Sequence, residues 1–476
     1  LGFQNPIFIN HQDFLMSNRN KKIQDTFDAI KNRPVEYWFY LLLLGILFLS
    51  YLAVGFFATR VFENGNLVRD ANFGFNQLKA WRFRDFALVC FAFVLILFFS
   101  RPLRVHIGRF FDWLEVKPWR VELFIVFFAI TMTVVFFTFS TNYLNKDGRS
   151  LQRKFERDVP ALGAHVTHDE MWELYFHSRF WFYTQQAFGW DVRFSYRVIS
   201  SLMGGIFVYA LSKYTRQRFD RRWFMLTLLI LSGGYIQLFF GDVENYTMTA
   251  ALIFLYLWSA DGYIRGKISL IIPSFVLAVA LTFHLLSGFF LPSLAYLYFL
   301  AIQRRQFRSA IFGFVPSVLV VVLTLFFFSQ NGLPLSNLWT NSFASGQGGR
   351  YSEYLVTPSL DYYSQIINLL FLLVPALIFI IPLLLFKRIK PTEANIHLLI
   401  ATAGALLLTF GWKAQLGVYN DWNLFTVTAL PVSLLVWSNF DTIENADFKT
   451  EIALLSGFVF SLHSLTWILS NHLLKR

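Results

Sequence analysis

Apolar runs of about 20 residues, long enough to cross a bilayer core as helices, recur from residue 37 almost to the end of the chain. They lie near 37–58, 86–100, 121–139, 194–212, 223–240, 245–261, 267–283, 285–301, 309–328, 364–386, 395–411, 424–437 and 451–469. In lipid a backbone must satisfy its own hydrogen bonds, so the runs predict an all-α, polytopic transmembrane bundle of about 13 spans. The stretch 267–301 is too long for one span and reads as a hairpin with His284, Ser287 and Gly288 at its tip. Composition agrees with lipid as solvent. Charged residues are 15% and hydrophobic residues 56%, whereas a soluble domain is about a quarter charged. Aromatic residues reach 19%, with 58 Phe, which suits lipid-facing helices with Trp and Tyr at the interfaces. A net charge of +12 would point to nucleic acid in a soluble chain. Here Lys and Arg are expected to set topology, and no nucleic-acid partner is expected. The single cysteine, Cys90, excludes an internal disulfide framework and a cysteine-based metal site. Residues 1–36 hold no basic segment followed by an apolar one, so no cleavable signal peptide is expected.

Orientation follows from the short loops. Connectors 101–120, 213–222, 303–308 and 387–390 are basic, carrying for example Arg101, Arg218, Arg304 and Arg388, whereas 241–244 and 284–288 hold no base. The N-terminal tail is therefore expected in the cytoplasm and the C-terminus outside. Loop 59–85, with Arg60, Arg69, Lys79, Arg82 and Arg84, runs against this trend. The organisation expected is a tail plus transmembrane hairpin (1–120), a transmembrane module with an external loop at 140–193 (121–310), and C-terminal helices with an external loop at 329–363 (311–476).

Ionisable groups avoid the spans and collect at their ends. On the expected external side stand Asp169, Glu170 and Glu173; Asp242 and Glu244; Glu353; and Asp421. A coupled transporter usually carries acids or broken helices near mid-membrane. An enzyme working on a lipid head group keeps them at the interface, as here. Residues 167–189 read THDEMWELYFHSRFWFYTQQAFG. Thr167 followed by Glu170 has capping-box spacing, predicting a helix with Thr167 as N-cap. Trp172, Tyr175, Phe176, Phe180 and Tyr183 then share one face, with Glu173, His177 and Thr184 opposite. Such a helix would lie in the interface plane, holding Asp169 and Glu170 at membrane-surface depth. Acids in a first helical turn are also favoured by the helix dipole alone, so capping and catalysis both remain open. The second acidic cluster, GDVENYT at 241–247, closes a tight external turn and has the form of a glycosylation sequon at Asn245, too near the membrane for an acceptor.

The acid pair Asp169-Glu170 opening an interfacial helix resembles the GT-C superfamily of membrane glycosyltransferases. The resemblance continues through VRFSYRVISSLMGGIFVYALSKY at 192–214, FFGDVENYT at 239–247 and FHLLSGFF at 283–290, and covers about residues 120–310. The layout is similar to the protein O-mannosyltransferase and aminoarabinose-transferase branches. The chain departs from the pattern in two extra spans before the similar region and in no large soluble domain after it, which leaves the acceptor open.

The resemblance implies transfer of a hexose or pentose from a polyprenyl-phosphate donor to an external lipid, glycan or protein acceptor, with inversion. The site would lie on the periplasmic or exoplasmic side, as in a bacterial inner membrane. It further implies Asp169 as the base, Glu170 as alternative base or positioning partner, and Asp242 and Glu244 as a second acidic site that binds substrate. Phosphate leaves readily, so the poor acceptor hydroxyl is what needs a carboxylate. Charge on the departing phosphate needs a cation or donors, for which His168, Arg179, His284, Arg350 and Lys413 are candidates. Arg350, in GQGGRYSEY, is equally readable as a solvated loop arginine, and Lys413 as a snorkelling one. Asn420 and Asp421, beside Trp422, would bind sugar or simply cap a span. Asp169, Asp242 and Glu244 with water would suit Mg²⁺ or Mn²⁺, although no sequence feature demands a metal. The alternatives are a flippase or transporter of lipid-linked glycans, and a glycan polymerase or ligase.

Overall fold

The computed structural model describes residues 33–57, 61–63, 66–69, 75, 101–142, 146–162, 164–219, 222–333, 359–414 and 417–473. The expected span 86–100 with Cys90, and the loop positions Arg350 and Glu353, lie outside the described residues.

The elements in order are α1 (Val35–Phe57), a short antiparallel hairpin of β1 (Val61–Glu63) and β2 (Asn66–Arg69), α2 (Arg101–Glu115), α3 (Pro118–Thr138), α4 (Lys146–Leu162), α5 (Met171–Phe188) and α6 (Val192–Phe219). Then come α7 (Trp223–Leu231), α8 (Thr247–Ile264), α9 (Ile271–Phe283), α10 (Leu291–Gln303), α11 (Phe307–Gln330), α12 (Leu360–Leu373) and α13 (Ile380–Leu385). The chain ends with α14 (Glu393–Gly411), α15 (Thr426–Phe440) and α16 (Ala446–Leu473). Among the described residues, eight helical stretches are long and apolar enough to cross a membrane, or nine with α12 and α13 taken as one span bent by 100°.

The described residues thus do not show all of the 13 spans expected. The run 223–240 is broken at Gly233 into the nine-residue α7 and a 3-10 segment, Gly234–Phe239. The run 267–283 yields only the 13-residue α9. The run 245–261 becomes α8, whose Thr247, Thr249, Ser259 and Asp261 dilute its apolar character.

Burial separates the core from the lipid face. The stretch containing α15 is 94% buried, whereas α11 is 17% buried and exposes Ile311, Phe312, Phe314, Leu319, Val322 and Phe326. An exposed apolar belt of that kind is what hydrocarbon covers. Inside the bundle, helices are joined by polar pairs suited to lipid: Thr215 with Thr227 at 2.7 Å, Thr409 with Thr428 at 2.7 Å, and Asn395 with Asn439 at 2.8 Å.

α6 sets the scale. From Tyr196 to Arg218 it rises by about 33 Å, close to the thickness of a bilayer core. At the Arg218 end the bases are paired with acids. Arg218 and Arg265 share Asp261, Arg222 meets Asp441 at 3.1 Å, Arg33 meets Glu451 at 2.8 Å, and Arg388 meets Glu36 at 3.0 Å. The acids therefore do not gather on one side only, as the sequence alone implied. At the opposite end Thr141 N donates to Phe240 O at 2.7 Å, and Asn142 N to Asn471 O at 3.1 Å, closing α3, the 240–246 turn and α16 together.

Candidate active site

The Tyr196 end carries the acids. α5 begins at Met171, with Glu170 as N-cap, and its side chain makes no capping bond. Thr167 is therefore not the N-cap that the spacing predicts. The physical reason is tertiary: the Glu170 carboxylate is turned toward other elements. Asn245 Nδ2 donates to Oε2 at 3.0 Å, and His284 Nε2 lies 3.3 Å from Oε1. The His284 tautomer follows from its other nitrogen. Leu286 N donates to Nδ1 at 3.2 Å, which leaves the proton on Nε2, facing the carboxylate. Tyr246 stacks on the imidazole at 5.0 Å, and Leu285 N donates to Asp169 O at 2.9 Å, clipping the 284–290 turn to the acidic loop.

The polar stripe of α5 turns inward. Glu173 and His177 are buried, while Phe176 and Tyr183 on the aromatic face are about half exposed. Sequence periodicity finds the two faces, but the inward one is the polar one. Glu173 caps α8: its oxygens accept from Met248 N at 3.0 Å, Thr249 N at 3.0 Å and the Thr249 hydroxyl at 2.8 Å. A helix N-terminus presents unpaired N–H groups and a positive dipole end, which a carboxylate satisfies. Trp172 anchors the aromatic face on α11, donating to Thr324 at 3.0 Å and stacking on Phe327.

The 241–247 turn is fixed by Gly241. Its φ is +74°, and a Cβ there would lie 3.0 Å from Ser140 Cβ. Asp242, Glu244 and Asn245 are all buried. Asn245 is bonded through its amide at both ends, with Tyr196 OH donating to Oδ1 at 2.9 Å, so the sequon is structural. Burial pushes Asp242 up to about 7 against the pull of Arg193, and Glu173 up to about 7 despite its donors. Burial and the adjacent Glu170 charge push Asp169 up, opposed by His284. Burial pulls His284 down.

Asp169, Glu170, His284 and the turn bearing Asp242 and Glu244 are thus drawn together at one end of the bundle, with the buried His168 on the same loop. Lys413, Asn420 and Asp421 lie on the connector between α14 and α15. There Tyr362 OH donates to Trp412 O at 2.8 Å and accepts from Ala414 N at 3.2 Å. Trp422 is packed edge-on against Trp467, and its ring is not open to a sugar. Arg179 reaches along its own helix to Tyr183. Among the described residues no three His, Cys, Asp or Glu side chains converge to hold a metal ion, Asp169, Asp242 and Glu244 included. The sequence reading gave no role in the site to Glu173, Asn245, Tyr196 or Arg193. It also passed over α4, whose Leu151, Phe155 and Val159, spaced by four, pack under α5 and α6.

The described residues form the bundle of an integral, multi-pass membrane protein with an acid-bearing loop at one end, a fold with a likeness among solved structures. The solved structure that carries this likeness is ArnT from Cupriavidus metallidurans bound to undecaprenyl phosphate, with TM-score 0.50 and 12% identity over 72% of this chain and 77% of that one. The same protein in the apo state gives TM-score 0.46 and 12% identity, over 73% and 78% of the two chains. Neither a scan of protein families nor a search of curated proteins finds a match to the sequence.

Proposed function

We propose that the protein transfers a sugar from a polyprenyl phosphate to an acceptor on the external face, with Asp169 as base. The observation that carries this reading is the convergence of Glu170, Asn245 and His284 beside Asp169 at the end of a GT-C-like bundle away from the paired bases. The likeness to a protein seen with undecaprenyl phosphate supports that class of carrier. In the proposed step the acceptor oxygen attacks the anomeric carbon while the carbon–oxygen bond to phosphate breaks. The phosphate leaves with the bonding electrons, Asp169 takes the acceptor proton, and a single displacement inverts the centre. Glu170 orients Asp169. Asp242, Glu244, His168 and His284 line the donor and acceptor positions, with Arg350, Lys413, Asn420 and Asp421 contributing from the later loops. No step is assigned to a metal.

The direct test is transfer from radiolabelled polyprenyl-phosphate sugars by purified protein in liposomes, with lipid translocation followed in parallel. Labelled acceptor is the expected result. Translocation without transfer from any donor would replace the enzyme with a flippase.

The same assignment fixes a pH dependence. Asp169 must be ionised to accept a proton, and its pKa is raised, so kcat/KM should climb through a limb above the usual carboxylate value of about 4. Glu170→Gln removes the like charge and should move that limb to lower pH in the residual activity. Asp242 and Glu173 should titrate as before, since neither is raised by Glu170. A limb that stays in place in this variant would separate the titrating group from Asp169.

A further inference from the structure

Two carboxylates one helical turn apart on α5 hold the two ends of one short segment. Glu170 takes the side chain of Asn245, and Glu173 takes the backbone N–H groups of Met248 and Thr249. Between them a third element intervenes. Tyr196, on α6, is fully buried, stacks face to face on His177 at 3.8 Å and 7°, and reaches Asn245 with its hydroxyl. His177 in turn lies 3.8 Å from Glu173.

Chemistry fixes the polarity of this chain. The Asn245 NH₂ group faces Glu170 and donates to Oε2 at 3.0 Å, where a carboxylate oxygen accepts. The carbonyl Oδ1 then faces Tyr196, whose hydroxyl must donate. We propose that Tyr196 and Asn245 are positioning residues: Tyr196 sets the flip of the Asn245 amide, and the amide holds the Glu170 carboxylate in one orientation beside Asp169. The assignment of transfer to Asp169 above is the reading on which the kinetic half of this inference rests. Glu173 and His177 act as the floor of the assembly, keeping the segment 245–249 in register with α5. In this arrangement Asn245 replaces one hydration bond of Glu170, and Tyr196→Phe would leave the stack on His177 intact while freeing the amide to turn.

Two measurements on wild type, Tyr196→Phe, Asn245→Ala and the double variant test this. In the first, both single variants should lower kcat at least 10-fold with KM for the donor within 2-fold. The double variant should be no worse than Asn245→Ala, because both act through one amide. A general packing defect would instead move stability and KM together, and two independent losses would multiply. The second measurement needs no turnover: carbodiimide labelling of Glu170 followed by peptide mass spectrometry. Without the Asn245 donor held in place, Glu170 should label several-fold faster in both single variants than in wild type. Unchanged labelling in both overturns the proposal whether or not transfer is seen. Faster labelling in a protein that transfers from no donor would uphold the relay and overturn the enzymatic reading alone.

Discussion

Asp169→Asn is expected to slow sugar transfer by about 10²–10⁴-fold at equal expression, the range for removing a positioned general base. Asparagine has the same shape and cannot take a proton. The variant should also fold, because the link from the acidic loop to the 284–290 turn runs through the Asp169 backbone carbonyl and Leu285 N at 2.9 Å, which the substitution leaves alone. Donor binding, followed by retention of labelled lipid, should persist. Glu170→Gln offers the contrast. A glutamine carbonyl still accepts from Asn245, so part of the positioning survives and the loss should be smaller. A fall of less than about 3-fold for Asp169→Asn would remove it as base. A larger loss in Glu170→Gln than in Asp169→Asn would pass the role to Glu170.

The second large effect is structural. Gly404 sits where α14 crosses the 3-10 turn Leu285–Phe290, and a Cβ there would lie 2.0 Å from the carbonyl oxygen of Phe289. A backbone atom cannot swing aside as a side-chain tip can, so Gly404→Ala must push the two elements apart. Overpacking of this kind costs about 1–3 kcal/mol or more. Gly45→Ala, in α1, is the control, since nothing lies within 4 Å of its Cβ position. Both changes gain the same helix propensity, about 1 kcal/mol. Thermal unfolding in detergent should therefore give a lower Tm for Gly404→Ala and an equal or higher one for Gly45→Ala. His284 begins the displaced turn, so transfer should fall with stability at Gly404. Equal Tm values in the two variants would mean that α14 does not approach the turn so closely.

The bundle was legible because run length and missing charge act locally, whatever the neighbours do. Direction was harder to read. On α5 the 3.6-residue period separates Glu173 and His177 from Phe176 and Tyr183, yet the polar stripe is buried because the α8 N-terminus waits there for an acceptor. A lipid-facing helix inverts the usual rule, and nothing in residues 167–189 announces the partner. The capping-box spacing at Thr167 failed for the same reason, since the Glu170 carboxylate has stronger claims on it from residues 75 and 114 positions away. Asp169, Glu170 and the 241–247 turn stood out as acids at span ends. Tyr196 did not, being one tyrosine in a helix, and Asn245 was noticed only as a sequon. Bases read as markers of sidedness have acid partners as distant as Glu36 from Arg388, a pairing that no local pattern encodes.

Gly233 and Gly234, which break one apolar run, face the point where α12 gives way to α13. A Cβ on either would lie 2.5 Å from a carbonyl oxygen, that of Leu373 or Leu372. Each interruption is thus covered by the other, inside the membrane. This sets an order of events during synthesis. Residues 233–234 leave the ribosome about 140 residues before their partners, which at about 5–20 residues per second is an interval of about 7–28 seconds. For that time the first break has no cover from its own chain. It must wait in the insertion machinery, or against lipid, until the later half arrives to pack on it.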